Sequence, residues 1–496
     1  MPITRDGPVT RGTCQNLIQG LRAKAMPEPA VAAALVQAAE FSERLVATYT
    51  AEIAAGEVGS EGTARASEAA ILGARSPTVL MYGRVQSGKT AAMILTSALC
   101  LDNGFRIIVV LTADNVALVE QTANRFKALD GPRVFSSVKD DTYEWEGQED
   151  ELLEDIASDG LVLVCAKDAF HLPRIIQFLQ EIEAPSYPTL VFDDEADAAT
   201  PDTTLAARSA GRSNAPLFPS TINRRVIENP RPGEEGESIG EVFEHSLYIQ
   251  VTATPYLLFL QRVNSRIRPN VTFLLEPGEG YCGGETFFAA FDPRANVPPA
   301  APLVLVPNNE GRAINRRSMP TGLAASIEFF LIGAAAKAVA DGGRWPAEGF
   351  KHLSHTSHRI DQHTVVAGHI ERHLADLRRQ LRADAAAAIE RFALAYGELR
   401  RTAADAPGLE DLIRVLPEAI RQAEFIRVNS ETEVPRYGPR VNFVIGGNIL
   451  GRGLTIDDLL VTYYIRAWHL KTWVHSSHAT NSPTADAPCS EPRPRV

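Results

Sequence analysis

Eight consecutive residues, Gly83-Arg84-Val85-Gln86-Ser87-Gly88-Lys89-Thr90, satisfy the spacing G-x-x-x-x-G-K-[ST] at every position. In such a loop the glycines let successive backbone amides curl around a phosphate. The lysine reaches the outer phosphate oxygens, and the hydroxyl that follows can ligate Mg2+ at a helix N-terminus. A nucleoside triphosphate held by Gly83, Gln86, Ser87, Gly88, Lys89 and Thr90 is the chemistry implied. About a hundred residues later, Leu190-Val191-Phe192 runs into Asp193-Asp194-Glu195-Ala196-Asp197, an apolar run ending in carboxylates. A hard cation wants oxygen ligands, so Asp194 is expected to hold the Mg2+ shell beside Thr90, and Glu195 to polarise an attacking water. A shift of one residue would exchange the roles of Asp193 and Asp194, and an acidic helix start is the plainer reading of the cluster.

Two further strings carry weaker signals. Thr252-Ala253-Thr254-Pro255 places small hydroxyls, on Thr252 and Thr254, at a strand end, where they can hydrogen-bond to the carboxylates and report the state of a γ-phosphate. Ile445 to Thr455 reads I-G-G-N-I-L-G-R-G-L-T, a glycine-rich loop in which Arg452 can supply charge to a transition state or to DNA. A structural turn is the competing reading of that loop.

The elements that must position these residues are legible in outline. Thr78 to Tyr82 reads as a short buried strand and Thr90 to Leu101 as an Ala/Leu-rich helix, the strand, loop, helix order that the phosphate loop requires. Val/Ile/Leu-rich runs at Arg106–Leu111, Leu161–Cys165, Thr189–Phe192 and Ser246–Val251 alternate with helical stretches, which predicts a mainly parallel sheet covered by helices. Ahead of the loop, residues 28–56 are Ala-rich at helical spacing, so 1–74 is expected to be a helical accessory segment and 75–290 a first α/β domain. Residues 291–320, rich in Pro, Asn and Arg, read as a linker. A second α/β domain is expected over 321–467: a helix at Leu323–Ala340, a strand at Phe350–Thr356, a helical insertion from Thr364 to about Ala404, and strands at Phe425–Asn429, Val441–Ile445 and Leu460–Ile465. The Pro/Ser/Thr/Ala-rich residues 468–496 are expected to be disordered.

Composition bounds the function classes. A 496-residue chain that is 45% hydrophobic and 22% charged can bury large cores in two or three domains. No run of about eighteen apolar residues and no secretory layout at Met1 to Gly20 points to a cytoplasmic protein with no membrane partner. Five scattered cysteines without a C-x-x-C pair predict reduced thiols, with neither a disulfide framework nor a zinc ribbon. A net charge of −12 means that nucleic acid must meet a local basic surface, such as Arg208, Arg212, Arg224 and Arg225 or the His352–Arg401 segment, each equally well read as a solvated face. His352, His355 and His358 recur every third residue, but on a strand they point to opposite sides, which disfavours a metal site. Cys282, in Tyr281-Cys282-Gly283-Gly284-Glu285, has no local partner that would activate it.

The order of phosphate loop, D-E-A-D and T-A-T-P resembles the first motor domain of superfamily 2 helicases. Joined to Gly446-Gly447-Asn448-Ile449-Leu450-Gly451-Arg452-Gly453-Leu454-Thr455, it resembles more narrowly the Z1 domain family, described as endonucleases, a helicase-like ATPase module of bacterial restriction-type systems. The resemblance spans residues 75–466; the Gln86-Ser87 pair and the G-G-N-x-L-x-R-G-L-T string are its most diagnostic pieces. It implies two RecA-like lobes with ATP and Mg2+ between them, a role on DNA, and partner subunits of nuclease or methyltransferase type. Past Arg466 the family continues into an arginine-containing Q-x-x-R-x-F-G-Y-R segment, whereas this chain reads Ala467-Trp468-His469-Leu470-Lys471-Thr472-Trp473. A truncated or frameshifted reading frame with impaired turnover is the expectation there, since a missing arginine finger costs a factor of about 10³ or more. Three functions follow: an ATPase motor or switch, a chain that itself cuts DNA, or a nucleotide-dependent binding module.

Overall fold

The computed structural model describes the chain except for residues 1–11, 24–27, 60–77, 138–146, 148, 183–186, 205–207, 209–215, 228–237, 244–245, 262–264, 266, 279–280, 289–302, 308–309, 315–317, 357–359, 429–434, 448–455, 466–471 and 476–496. It divides into two compact α/β units, Met1–Tyr281 and Cys282–Val496.

In the first unit the described strands are β1 (Thr78–Gly83), β2 (Ile107–Thr112), β3 (Arg133–Ser136), β4 (Leu161–Ala166), β5 (Thr189–Asp194), β6 (Ser246–Thr252) and β7 (Val271–Leu275). They form one sheet in the order β3-β4-β2-β5-β6-β1-β7, parallel throughout. Continuous apolar runs such as Ile107 to Leu111 suit strands covered on both faces, and the alternation of side chains sorts them into two cores. Met81, Ile108, Val110, Val164 and Phe192 join one core, and Leu80, Val109, Leu163 and Val191 the other. The edge strands β3 and β7 have no counterpart in the expected pattern, being short or partly exposed and so lacking a long apolar run.

The N-terminal helices α1 (Gly12–Ala23) and α2 (Glu28–Gly59) are part of this unit's core. Phe41 of α2 packs on Phe273 of β7 with ring centroids 4.8 Å apart, and Tyr49 meets Phe105 edge-on at 5.2 Å. Asp102, at the end of α3 (Lys89–Asp102), accepts the first amides of α1 from Thr13 and Cys14, both at 3.1 Å. The N-terminal segment thus braces the helix that follows the phosphate loop. The opposite face is covered by α5 (Glu149–Ser158) and α6 (His171–Glu181), while α4 (Val116–Phe126) lies on the face of α3. Short helices α7 (Thr221–Val226), α8 (Ile239–Val242) and α9 (Tyr256–Phe259) complete the described helices of this unit.

The second unit contains α10 (Gly284–Phe288), β8 (Leu303–Leu305), α11 (Glu310–Ile314), α12 (Thr321–Ala340), β9 (Phe350–His355), α13 (Ile360–Ala383), α14 (Ala385–Thr402), α15 (Leu409–Arg421), β10 (Glu424–Val428), β11 (Val441–Gly446), β12 (Leu459–Tyr464) and β13 (Thr472–His475). Its sheet runs β10-β11-β9-β12-β13-β8, parallel from β10 to β12, with β13 antiparallel to both neighbours. The fold class read from the sequence holds, with the helical insertion in place, but two segment assignments change. Residues 303–305 and 310–314, within the expected linker, are a strand and a helix, and residues 472–475, within the expected disordered tail, form the strand that joins β8 to β12. Glu310 explains the first change. Buried, it accepts the Gly322 and Leu323 amides at 3.0 and 3.3 Å and the Tyr463 hydroxyl at 2.5 Å, so it caps α12 and ties it to β12. Helix α12 is long and apolar enough to cross a membrane by composition, yet Leu323, Ile327, Phe330 and Leu331 are fully buried in this unit's core.

Candidate nucleotide site

Strand β1 ends at Gly83, where the chain folds back on itself. A Cβ at that position would sit 2.8 Å from Ser87 Oγ and 3.0 Å from Lys89 Cγ, so only glycine lets the loop close this tightly. Gly88 has φ +92° and Gln86 φ +54°, the left-handed turns that aim amides inward ahead of α3. Ser87 N–H donates to Arg84 O at 3.1 Å, Lys89 Nζ donates to the same carbonyl at 3.3 Å, and Tyr281 OH donates to Val85 O at 2.6 Å.

The sheet register brings the other motifs to the same edge. Asp194 pairs with Val251 and Val251 with Met81, while Thr252 pairs with Tyr82, so the acidic strand, the T-A-T-P turn and the phosphate loop all leave at the carboxyl ends of adjacent strands. Parallel α/β sheets bind ligands at that edge.

The two adjacent aspartates have different surroundings. Asp193 is fully buried and has both oxygens engaged: Lys167 Nζ donates to Oδ1 at 2.6 Å, Thr200 Oγ1 to Oδ2 at 2.6 Å, and the Tyr248 hydroxyl also to Oδ2. A cation would have to compete with donors already placed on both oxygens. Asp194 has only the Glu195 amide on Oδ1, at 3.1 Å, among the described residues. Burial pushes its carboxyl above the usual range, countered by the Lys89 and Lys167 ammonium groups. Glu195, with φ +50°, is pushed up to about 7 by burial and by the neighbouring Asp194 charge, again countered by Lys89. Lys89 is therefore close enough to act on both carboxyls. Asp197 accepts Thr252 Oγ1 at 2.5 Å and Thr254 Oγ1 at 2.7 Å.

The residues present fit a Mg2+-bound triphosphate. Ser87 Oγ and Gln86 Oε1 are buried in the loop without a hydrogen-bond partner among the described residues, which is costly unless a ligand supplies one. Asp194 and Glu195, adjacent carboxyls both raised by burial, gain from a divalent cation.

Gly83, Gln86, Ser87, Gly88, Lys89, Thr90, Asp194, Glu195, Thr252 and Thr254 thus all stand at one sheet edge of the first unit. Arg452 lies outside the described residues. Lys167 was not anticipated from the sequence. Its only signal is its place directly after the apolar run of β4, the same strand-end position that the carboxylates take after β5. Thr200 and Tyr248 carry no sequence signal of their own.

The remaining candidates resolve as structural. His352 lies in the second core between Phe330 and Phe443, both at 5.5 Å, with Ser326 Oγ at 3.1 Å; burial lowers its imidazole to about 3, so it is neutral. His355, on the opposite side of β9, stacks on Tyr464 at 4.8 Å, and His358 lies outside the described residues. Cys282 packs beside Phe287 and Leu303. Of the basic candidates, Arg208 pairs with Asp202, Arg224 is buried, Arg212 is outside the described residues, and Arg379, Arg391 and Arg401 pair with Asp376, Glu328 and Glu398.

Residues 322–472 match the family model of the Z1 domain. That span is similar to a Z1 domain. The matched span lies in the second unit, so the phosphate loop and the acidic strand stand outside it. No curated protein matches the chain. Among solved structures, Saccharomyces cerevisiae Dbp5 bound to RNA and ADP BeF3 is similar at 12% identity and a TM-score of 0.36, over 90% of this chain and 76% of that one. The Pyrococcus furiosus Hef helicase domain is similar at 10% identity and a TM-score of 0.28, over 79% of this chain and 87% of that one.

Proposed function

We propose that this protein is a Mg2+-dependent ATPase that acts on DNA as the motor or switch of a restriction or phage-defence endonuclease system. The observation that carries the catalytic part is the convergence of a closed phosphate loop with Lys89, Asp194 and Glu195 at one sheet edge. The DNA-linked part is supported by the Z1 match and by the chain order of the motifs. Nuclease or methyltransferase partner subunits belong to the same proposal, because any strand cleavage is assigned to a partner.

In this reading the amides of Gly88 and Lys89 receive the phosphates at the N-terminus of α3, where the helix dipole favours negative charge. Lys89 Nζ leaves the Arg84 carbonyl, a long contact at 3.3 Å, for the outer phosphate oxygens. The Thr90 hydroxyl and the Asp194 carboxylate hold the Mg2+, whose chemistry when bound is to neutralise charge on the β- and γ-phosphates. Glu195 accepts a proton from the water whose oxygen attacks the γ-phosphorus; the bond from that phosphorus to the β-phosphate oxygen breaks, and ADP and phosphate leave. A carboxyl raised to about 7 is a competent base near neutral pH. The hydroxyls of Thr252 and Thr254, tied to Asp197, couple the acidic turn to the end of β6.

The test is steady-state release of phosphate from ATP by the purified chain, with and without Mg2+ and with and without DNA. Mg2+-dependent turnover that DNA stimulates is expected. Tight nucleotide binding with no turnover in any condition would instead support the nucleotide-dependent binding module.

A further inference from the structure

The Lys167 ammonium makes three contacts at once. Its Nζ donates to Asp193 Oδ1 at 2.6 Å, to the backbone carbonyl of Asp194 at 2.6 Å and to the backbone carbonyl of Glu195 at 3.3 Å. An ammonium has three protons, and all three are used. The side chain is fully buried, so water does not compete for any of them. Neutralising Asp193 would need only the first contact. The other two fall on the two peptides that flank the Glu195 α-carbon, and Glu195 is the residue with φ +50°. A side chain other than glycine holds a left-handed backbone only where its surroundings impose it.

The base of this Lys is itself fixed. Its amide donates to Thr112 O at 2.8 Å, continuing the β2–β4 ladder, and the next residue, Asp168, accepts the amides of Phe170 and His171 at 2.7 Å each. The ammonium therefore comes from a rigid strand end and reaches across β2 to the end of β5.

We infer that Lys167 is a positioning residue: by binding the carbonyls of Asp194 and Glu195 it holds the Glu195 peptide in its left-handed turn and so aims the Glu195 carboxylate at the nucleotide side of the sheet edge. The inference rests on the ATPase reading for its consequence and on geometry alone for the contact. Lys167 touches neither substrate nor metal. Its loss lowers the turnover rate while the phosphate loop, on a different strand, keeps its affinity.

Three variants test this: Lys167→Met, the double variant Lys167→Met with Asp193→Asn, and Tyr248→Phe. The double variant removes both members of the buried ion pair, so it keeps a folded protein available if the single variant unfolds. Tyr248→Phe deletes a different donor to Asp193 and leaves the carbonyl contacts in place. A Lys167 variant is expected to lower kcat by about 100-fold or more and to bind a fluorescent ATP analogue within about 3-fold of the parent. Tyr248→Phe is expected to keep kcat within about 3-fold. A crystal structure of the same Lys167 variant reads the contact without activity, and Glu195 is expected to have left the left-handed region. Glu195 still at positive φ in that crystal overturns the inference whatever the enzyme does. So does a folded Lys167 variant with parental kcat, or a loss that Tyr248→Phe reproduces. A parent that binds ATP without turning it over contradicts the ATPase reading alone, and the crystal then still decides the contact.

Discussion

Each unit buries a lysine and a titratable cluster in or beside its sheet, and the two solve the problem differently. At the carboxyl edge of the first sheet, Lys167 has an acceptor for every proton, while the carboxyls beside it, Asp194 and Glu195, are left crowded and raised. In the second unit, Lys351 is equally buried, but it lies on the Tyr437 ring at 4.6 Å with Glu348 3.8 Å away, and burial lowers its ammonium. Nearby in that sheet His352 is enclosed by phenylalanines and kept neutral. The difference separates a site from a core: the first edge concentrates charge in need of a cation, while the second encloses its lysine and histidine against aromatic rings. It also gives the two regions opposite responses to protons. The folded-state pKa of Glu195 is raised from 4.5 to about 7, so its destabilising charge is relieved as pH falls through about 7. That of His352 is lowered from 6.5 to about 3, so the stability gained from keeping it neutral is present above about 6.5 and lost as pH falls towards 3.

The sharpest way to break the comparison is Glu195→Gln. Loss of the base is expected to lower kcat by about 10³-fold with little change in nucleotide affinity, and kcat/KM of the parent is expected to fall as pH drops below about 7. Parental turnover by the variant would remove the functional meaning of the charged edge. The next effect is on stability. Lys167→Met strands a buried Asp193 and is expected to cost about 3–5 kcal/mol in denaturant unfolding, whereas Lys351→Met leaves no buried partner and is expected to stay within about 1 kcal/mol. Equal costs would show that the two lysines are alike. The smallest effect concerns His352. Calorimetry of the parent between pH 7.5 and pH 5 is expected to show the second unit losing about 2 kcal/mol that His352→Leu does not lose. An unchanged pH dependence in the variant would mean that some other group titrates.

The sequence carried the parts of this edge that are contiguous. Gly83 to Thr90 is a local string, and its need for a strand before it and a helix after it is met by β1 and α3. The acidic run is local too, but which aspartate serves the cation depends on neighbours far along the chain. Asp193 is claimed by Lys167, Thr200 and Tyr248, and the last of these stands 55 residues away. A lone lysine after an apolar run has no partner visible in its own segment, which is why Lys167 was missed. The same limit applied to β8 and β13: a three-residue strand and a four-residue strand gain their identity only by pairing with each other and with β12, against a local composition that argues for a loop. The core histidine was legible as a strand residue from period-two alternation, since His352 and His355 do face opposite sides of β9.

The most direct measurement is phosphate release from Mg2+-ATP by the parent and by Lys89→Ala at equal concentration. Removal of the only lysine of the loop is expected to reduce turnover by at least about 100-fold and to weaken ATP binding in parallel. Equal turnover by the two proteins would contradict the assignment of the first sheet's carboxyl edge as the site of ATP hydrolysis.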